Sequence, residues 1–311
     1  MKGKDAYSLQ IANARGFVFP RSLPLGNSIK SGINKVQARL SSFGYQDFSG
    51  KELFDAATYT LRKPGKMLRP ALVLLGAKLM GEDAADFIDM AVAAELLHTA
   101  SLVHDDIIDG DSVRRGVPTL HAKRGSEVAL LSGDALIAKA VSLASRYGPR
   151  VVKKVADASL DMCAGELLDY SSQREGKPIG VREYLRVARL KNGVFMGTCA
   201  SAAAIYKRKK VASRLYGFGL GLGVAFQIRD DILELVDEKE AGRNGGSKIT
   251  SGYTNIVRIF AKQFGIGQDE AVKKAVGLND YFADRALHFM EGATWSRELS
   301  RYIDFVRVRG A

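Results

Sequence analysis

The sequence predicts an all-α protein, with ten or more helices in one domain. Apolar residues recur at helical spacing along almost the whole chain. Alternating apolar and polar stretches, the mark of half-buried strands, are hard to find. Only seven prolines occur in 311 residues, and Pro64, Pro70, Pro118, Pro149 and Pro178 fall where helices should start or stop.

Taken in order, Ala71 to Met80 reads as a helix after Pro70. Phe87 to Asp109 reads as a long, nearly apolar one. Glu127 to Tyr147 carries Ala and Leu at three- and four-residue spacing. Val151 to Tyr170, Val181 to Tyr206 and Leu215 to Val236 follow, and Thr254 to Phe264, Gln268 to Met290 and Trp295 to Val308 complete the set. The internal helices are too apolar to lie on a surface, so others must surround them. The expected loops are Gly110 to Pro118, Ser171 to Gly180 and Asp237 to Gly252. The last is rich in Gly, Lys, Glu and Asn and reads as mobile. No repeat or low-complexity tract interrupts the pattern.

Hydrophobic residues make up 46% and charged residues 26%, the balance of a globular protein that can bury a core. The net charge is +12 and the pI about 9.6. Such an excess favours phosphorylated substrates, anionic membrane surfaces or nucleic acid, or is simply a basic surface. The basic residues are scattered, and no zinc-finger spacing or aromatic-rich RNA-binding segment accompanies them, so nucleic acid is not the expected partner. Cys163 and Cys199 form no paired motif, which points to a reduced, cytoplasmic setting. Met1 to Arg21 lacks the apolar core of a signal peptide. No stretch approaches the ~20 uninterrupted apolar residues of a membrane span. A lipid-like substrate would be met from the water side, with peripheral membrane contact left open.

The most informative segment is His98-Thr-Ala-Ser-Leu-Val-His-Asp105-Asp106-Ile-Ile-Asp109. A nearly apolar approach, broken by Glu95 and His98, ends in three aspartates. Asp105 and Asp109, four apart, share a helical face, and like charges at that spacing destabilise a helix. They also stand at its C-terminal end, where the dipole disfavours anions. Divalent cations would remove the conflict, and hard oxygen ligands of this kind suit Mg²⁺ that keeps waters and shares phosphate oxygens. A solvated acidic helix end is the bland alternative. Arg114 and Arg115 follow; they could pair with the carboxylates or offer guanidinium forks to phosphate.

The pattern returns at Phe226-Gln227-Ile-Arg-Asp230-Asp231-Ile-Leu-Glu234, again after an apolar approach, so each acidic segment should close an apolar helix. If the two helices face each other, their carboxylates line a shared cavity in which metal ions could bridge a diphosphate. The glycine run Gly217-Phe-Gly-Leu-Gly-Leu-Gly223 has no strand before it. It reads as close helix packing and not as a dinucleotide fingerprint.

These residues resemble the trans-prenyl diphosphate synthase family, which includes farnesyl and geranylgeranyl diphosphate synthases. Pro64-Gly65-Lys66-Met-Leu-Arg69-Pro70 is similar to its Gly-Lys-x-x-Arg-Pro segment. The run from His98 to Asp109 is similar to its first aspartate-rich motif, Arg114-Arg115-Gly-Val-Pro-Thr119 to its paired arginines, and Phe226 to Asp231 to the lead into its second motif. Gly133-Asp134 and Gly165-Glu166-Leu-Leu-Asp169 fall where the family has Gly-Asp and Gly-Gln-x-x-Asp.

The resemblance implies a single domain over residues 1–311, with 1–25 loosely packed, folded as an isoprenoid-synthase-like helical bundle around a central cavity and paired as a homodimer. It implies three Mg²⁺ ions, two on Asp105 and Asp109 and one on Asp230, with Asp106, Asp231 and Glu234 in support. Arg114, Lys191 and Gln227 would hold an allylic diphosphate. Gly65, Lys66, Arg69, His98 and Arg115 would hold isopentenyl diphosphate. The implied reaction joins the two into a longer trans-prenyl diphosphate and releases diphosphate. Ala100 and Ser101, small residues five and four positions before Asp105, leave room for products of C20 or longer.

The chain departs from the family pattern in places. Glu234 stands for Asp, Arg243 and Tyr253 for Lys, Lys248 for Asp, Asn192 for Thr and Glu166 for Gln. Two other readings follow: a catalytically weakened paralogue or regulatory subunit, favoured by the altered 242–254 segment, and a terpene-cyclase-like lyase. The lyase reading leaves Lys66, Arg69, His98 and Arg115 unused.

Overall fold

A computed structural model describes residues 26–62, 65–176, 178–240, 254–292 and 296–308. The expectations for 1–25 and for most of the 242–254 segment lie outside these residues. The all-α expectation holds. The helices are α1 (Asn27–Ser41), α2 (Lys51–Leu61), α3 (Leu68–Leu79), α4 (Ile88–Ile108), α5 (Leu120–Arg124), α6 (Ser126–Ser145), α7 (Pro149–Arg174), α8 (Val181–Ala188), α9 (Val194–Tyr206), α10 (Ala212–Glu240), α11 (Ile256–Phe264), α12 (Gln268–His288) and α13 (Ser296–Val308). Among the described residues, the extended structure is one short hairpin, β1 (Val113–Arg114) with β2 (Val117–Pro118).

Chain neighbours group into two compact units. The first comprises Leu25–Asp157 and Thr198–Tyr216; the second is built on Ala158–Gly197 and Gly217–Ala311. In the first unit α4 packs along α6 and against α3 and α1. Ile29, Leu72, Leu74, Leu75, Phe87, Leu96 and Leu136 are fully buried there. α4 explains its own apolar sequence: nearly every residue from Met90 to Leu97 is enclosed. In the second unit Tyr184, Val224, Ile228, Ile232, Leu235, Ile256 and Phe260 form one apolar cluster.

The element boundaries differ from expectation for identifiable reasons. α3 begins at Leu68, before Pro70. Proline is accommodated in the first turn because that N–H has no helical acceptor, and this puts Arg69 inside the helix. Val181 to Tyr206 is not one α-helix: it widens into a π-helical turn at Arg189–Gly193. α10 runs past the second acidic segment to Glu240, so that segment lies within its helix and only the first closes one. Buried Ile228, Ile232 and Leu235 keep the helical apolar period going through it. α11 starts at Ile256 because Asn255 caps it, accepting from the N–H groups of Val257 at 3.0 Å and Arg258 at 3.4 Å.

The glycine run packs helices, as its sequence predicts. A Cβ on Gly219 would lie 2.4 Å from the Met196 carbonyl oxygen, and one on Gly223 would lie 2.7 Å from Gly193 Cα. Among the described helices, α6 is long and apolar enough to cross a membrane by length and composition. It carries Glu127, Asp134 and Lys139 and packs along α4, as core helices of similar composition do.

Candidate active site

In the first unit, the acidic segment ends α4. Asp105 and Asp109 are half-buried, whereas Asp106 is 3% exposed. The Arg114 guanidinium donates to Asp106 Oδ1 at 2.5 Å. Burial holds the Asp106 carboxyl above its usual range, against the pull of Arg114. The hairpin places the two arginines. Arg115 and Gly116 form its two-residue turn, both with positive φ (51° and 74°), the twist that such turns require. Holding Arg115 there costs about 1–2 kcal/mol. Tyr59 Oη donates to the Pro118 carbonyl at 2.9 Å, and Thr119 Oγ1 donates to the Asp111 carbonyl at 2.7 Å. The loop is thus tied at both ends.

The Arg115 guanidinium lies against Gly65, where an added Cβ would meet Nη2 at 2.4 Å. Glycine at 65 is therefore a steric condition for Arg115's position. Beneath them Glu95, 4% exposed, is raised by burial and drawn back by the charges of Arg69 and Arg115. An acid buried on an apolar helix is tolerable with such partners. His104 points to α6, its Nε2 3.2 Å from the Leu130 carbonyl oxygen. Gly133 makes room for it: a Cβ there would lie 2.1 Å from Nε2.

In the second unit, Lys191 rides the π turn. Gly165 lets that turn approach α7, since a Cβ would lie 2.8 Å from Lys191 N. Lys191 Nζ pairs with Asp169 and with Glu166 Oε2 at 2.9 Å. Burial opposes the ammonium charge, and the two carboxylates outweigh it and hold the Lys191 pKa above its usual value. For Asp169 burial pushes the pKa up, but Lys191, Thr254 and Gln173 draw it below the usual range. Thr254 is the described end of the altered 242–254 segment.

On α10, Asp230 and Glu234 are half-buried and Asp231 is 6% exposed. Asp231 accepts from Ile256 N–H at 2.9 Å and from Gln227 Nε2 at 2.8 Å. Asn192 Nδ2 donates to Gln227 Oε1 at 2.6 Å, which settles the direction of the Gln227 amide. Asn255 Nδ2 donates to the Asp231 carbonyl at 2.9 Å and to Glu234 Oε2 at 3.2 Å. Burial, against these donors, pushes the Asp231 carboxyl up to about 7.

The structure therefore gathers Gly65, Arg69 and Arg115 around Glu95, and Arg114 onto Asp106, in one unit. It gathers Lys191 with Asp169 and Glu166, and Gln227 with Asp231, in the other. Lys66 is exposed beside Gly65, and His98 is half-buried on α4. Sequence reasoning assigned no role to Glu95, Asn255 or Tyr184. A lone acid in an apolar helix and an Asn before an apolar run were the available signals for the first two. Tyr184, fully buried with Asp231 among its charged neighbours, had none.

Among the described residues, no three Asp, Glu, His or Cys side chains converge as a ready-made metal cage. Pairs of half-buried carboxylates on one helical face fit Mg²⁺, which takes one or two carboxylates and completes its shell with water and phosphate oxygens.

Residues 50–286 match the family model described as polyprenyl synthetase. A geranylgeranyl pyrophosphate synthase of Geoglobus acetivorans is 34% identical over 270 residues, covering 79% of this chain and 84% of that protein. A geranylfarnesyl diphosphate synthase of Methanosarcina mazei is 35% identical over 214 residues, covering 68% and 70%. The solved geranylgeranyl pyrophosphate synthetase of Geoglobus acetivorans superposes with a TM-score of 0.78 at 29% identity, covering 91% of this chain and 98% of that one.

Proposed function

The chain belongs to the polyprenyl synthetase family, and from that membership we propose that it condenses isopentenyl diphosphate with an allylic prenyl diphosphate, releasing diphosphate. The observation that carries the reading is the environment of the first acidic motif: two half-buried carboxylates on one helical face, with an arginine-bearing hairpin folded beside them. The family match crosses both units, which supports treating 1–311 as one synthase domain.

Asp105 and Asp109 hold Mg²⁺ at the first motif and Asp230 at the second, three ions in all, with Glu234 beside Asp230. Bound Mg²⁺ supplies charge neutralisation for the leaving diphosphate. Asp106 and Asp231 support from behind, the first by orienting Arg114, the second by orienting Gln227 and the start of α11. Arg114, Lys191 and Gln227 hold the allylic diphosphate. Gly65, Lys66, Arg69, His98 and Arg115 hold isopentenyl diphosphate, with Glu95 fixing the two arginines. Cations aimed at the departing diphosphate favour ionisation to the allylic cation. Attack by the isopentenyl double bond and loss of a proton complete the condensation.

Small Ala100 and Ser101, together with relatives named for geranylgeranyl and geranylfarnesyl products, support C20 or longer products. Exposed leucines support a homodimer: Leu130 and Leu131 on α6, and Leu160 and Leu167 on α7, are each more than half exposed. We place the enzyme in the cytoplasm, meeting membranes peripherally at most.

The test is incubation of purified protein with labelled isopentenyl diphosphate and geranyl or farnesyl diphosphate, with Mg²⁺ or EDTA, and sizing of the products. Metal-dependent elongation to C20 or beyond is expected. Products ending at C15 would overturn the length assignment. No elongation from folded protein with any primer would overturn the synthase reading in favour of a weakened subunit or a lyase.

A further inference from the structure

Glu166 and Asp169 lie one turn apart on α7, and both reach Lys191 Nζ. The three side chains are 23% (Lys191), 21% (Glu166) and 11% (Asp169) exposed, so water screens them only partly. Their formal charges sum to −1. Gly165 lets the π turn that bears Lys191 lie close against α7, where a Cβ would be 2.8 Å from Lys191 N. The flexible end of the lysine side chain can change partner. Gln173 Nε2 donates to Asp169 Oδ1 at 3.0 Å and keeps that carboxylate in place. A glutamine at 166 offers Nζ a neutral acceptor of the same reach and leaves a balanced Lys191–Asp169 pair.

We propose that Glu166 is an affinity-determining residue for the allylic diphosphate, weakening the hold of Lys191 by competing with phosphate oxygens for its ammonium. This rests on the proposed synthase function. Lys191 cannot serve the diphosphate fully while two carboxylates claim it, and the extra anion also repels the phosphate directly. Allylic substrate and product diphosphate are therefore held more loosely than a neutral residue at 166 would allow, and the isopentenyl residues of the other unit are unaffected.

The experiment measures binding of inorganic pyrophosphate with Mg²⁺ by calorimetry, and steady-state KM values for both substrates, in wild type, Glu166→Gln and Glu166→Asp. Glu166→Gln should bind pyrophosphate about three- to tenfold more tightly, the scale of removing one partly screened like charge. Its allylic KM should fall by a similar factor and its isopentenyl KM should stay unchanged. Glu166→Asp keeps the charge and should stay near wild type, which a purely structural role for the side-chain length would not produce. Unchanged or weaker pyrophosphate binding by folded Glu166→Gln, or equal shifts in both KM values, would overturn the proposal while leaving an active wild type a synthase. A wild type that neither binds pyrophosphate nor elongates would overturn both.

Discussion

The two acidic segments are near copies as strings and differ as environments. In both, the outer acids (Asp105 and Asp109, Asp230 and Glu234) are half-buried, and the middle one turns inward and is buried. Around the first, cations dominate: Arg114 pairs with Asp106, and Arg69 and Arg115 share Glu95. Around the second, acids dominate: Lys191 is divided between Glu166 and Asp169, and Asp231 accepts from the Gln227 amide and the Ile256 N–H. A helix end and a hairpin build the first; glycine contacts, a π turn and an amide relay build the second. One motif can thus stand in an arginine-rich surrounding and in an acid-rich one, because its middle residue binds whatever the fold brings to it.

Four substitutions test whether the two segments differ in this way. The largest effect belongs to an outer acid: Asp105→Asn should lower kcat for elongation about 10³-fold with little change in thermal stability. If it falls no further than Asp106→Asn, the division between outer and middle acids fails. Next is the stability carried by the middle acid of the second motif. The Asp231 pKa is raised on folding, so its contribution is fully present below the unfolded carboxyl value and lost as pH rises to about 7. Denaturant unfolding should show wild type losing about 2–4 kcal/mol relative to Asp231→Asn between pH 4 and 7. A flat difference would show that burial does not raise that carboxyl.

Arg115→Ala should raise the isopentenyl KM about tenfold, the worth of a charged hydrogen bond, and leave the allylic KM within about twofold. Equal rises would merge the two subsites. The smallest change in rate should come from Ser101→Phe, which shortens the chain without slowing the first condensation; products of undiminished length would move the length-setting residues off α4.

Much of the helical plan was legible because amphipathic spacing is local: α4, α6, α12 and the apolar face of α10 are written into runs of a few turns. The acid pairs and the arginine pair were legible for the same reason. Boundaries were less so. The start of α3 depends on tolerating Pro70 in its first turn, the end of α10 on partners for Ile232 and Leu235, and the π turn on the space that Gly165 opens.

The helical class, the spacing of the acids and the family follow from residue order, since each depends on the identity of nearby residues. Which distant partners each buried acid meets depends on the packing of the helices. Asp231 meets Ile256 N–H across 25 positions, and Lys191 meets Asp169 across 22. Burial and hydrogen bonding between such distant residues exist only once the helices have packed, and they set the charge that each side chain can offer a substrate.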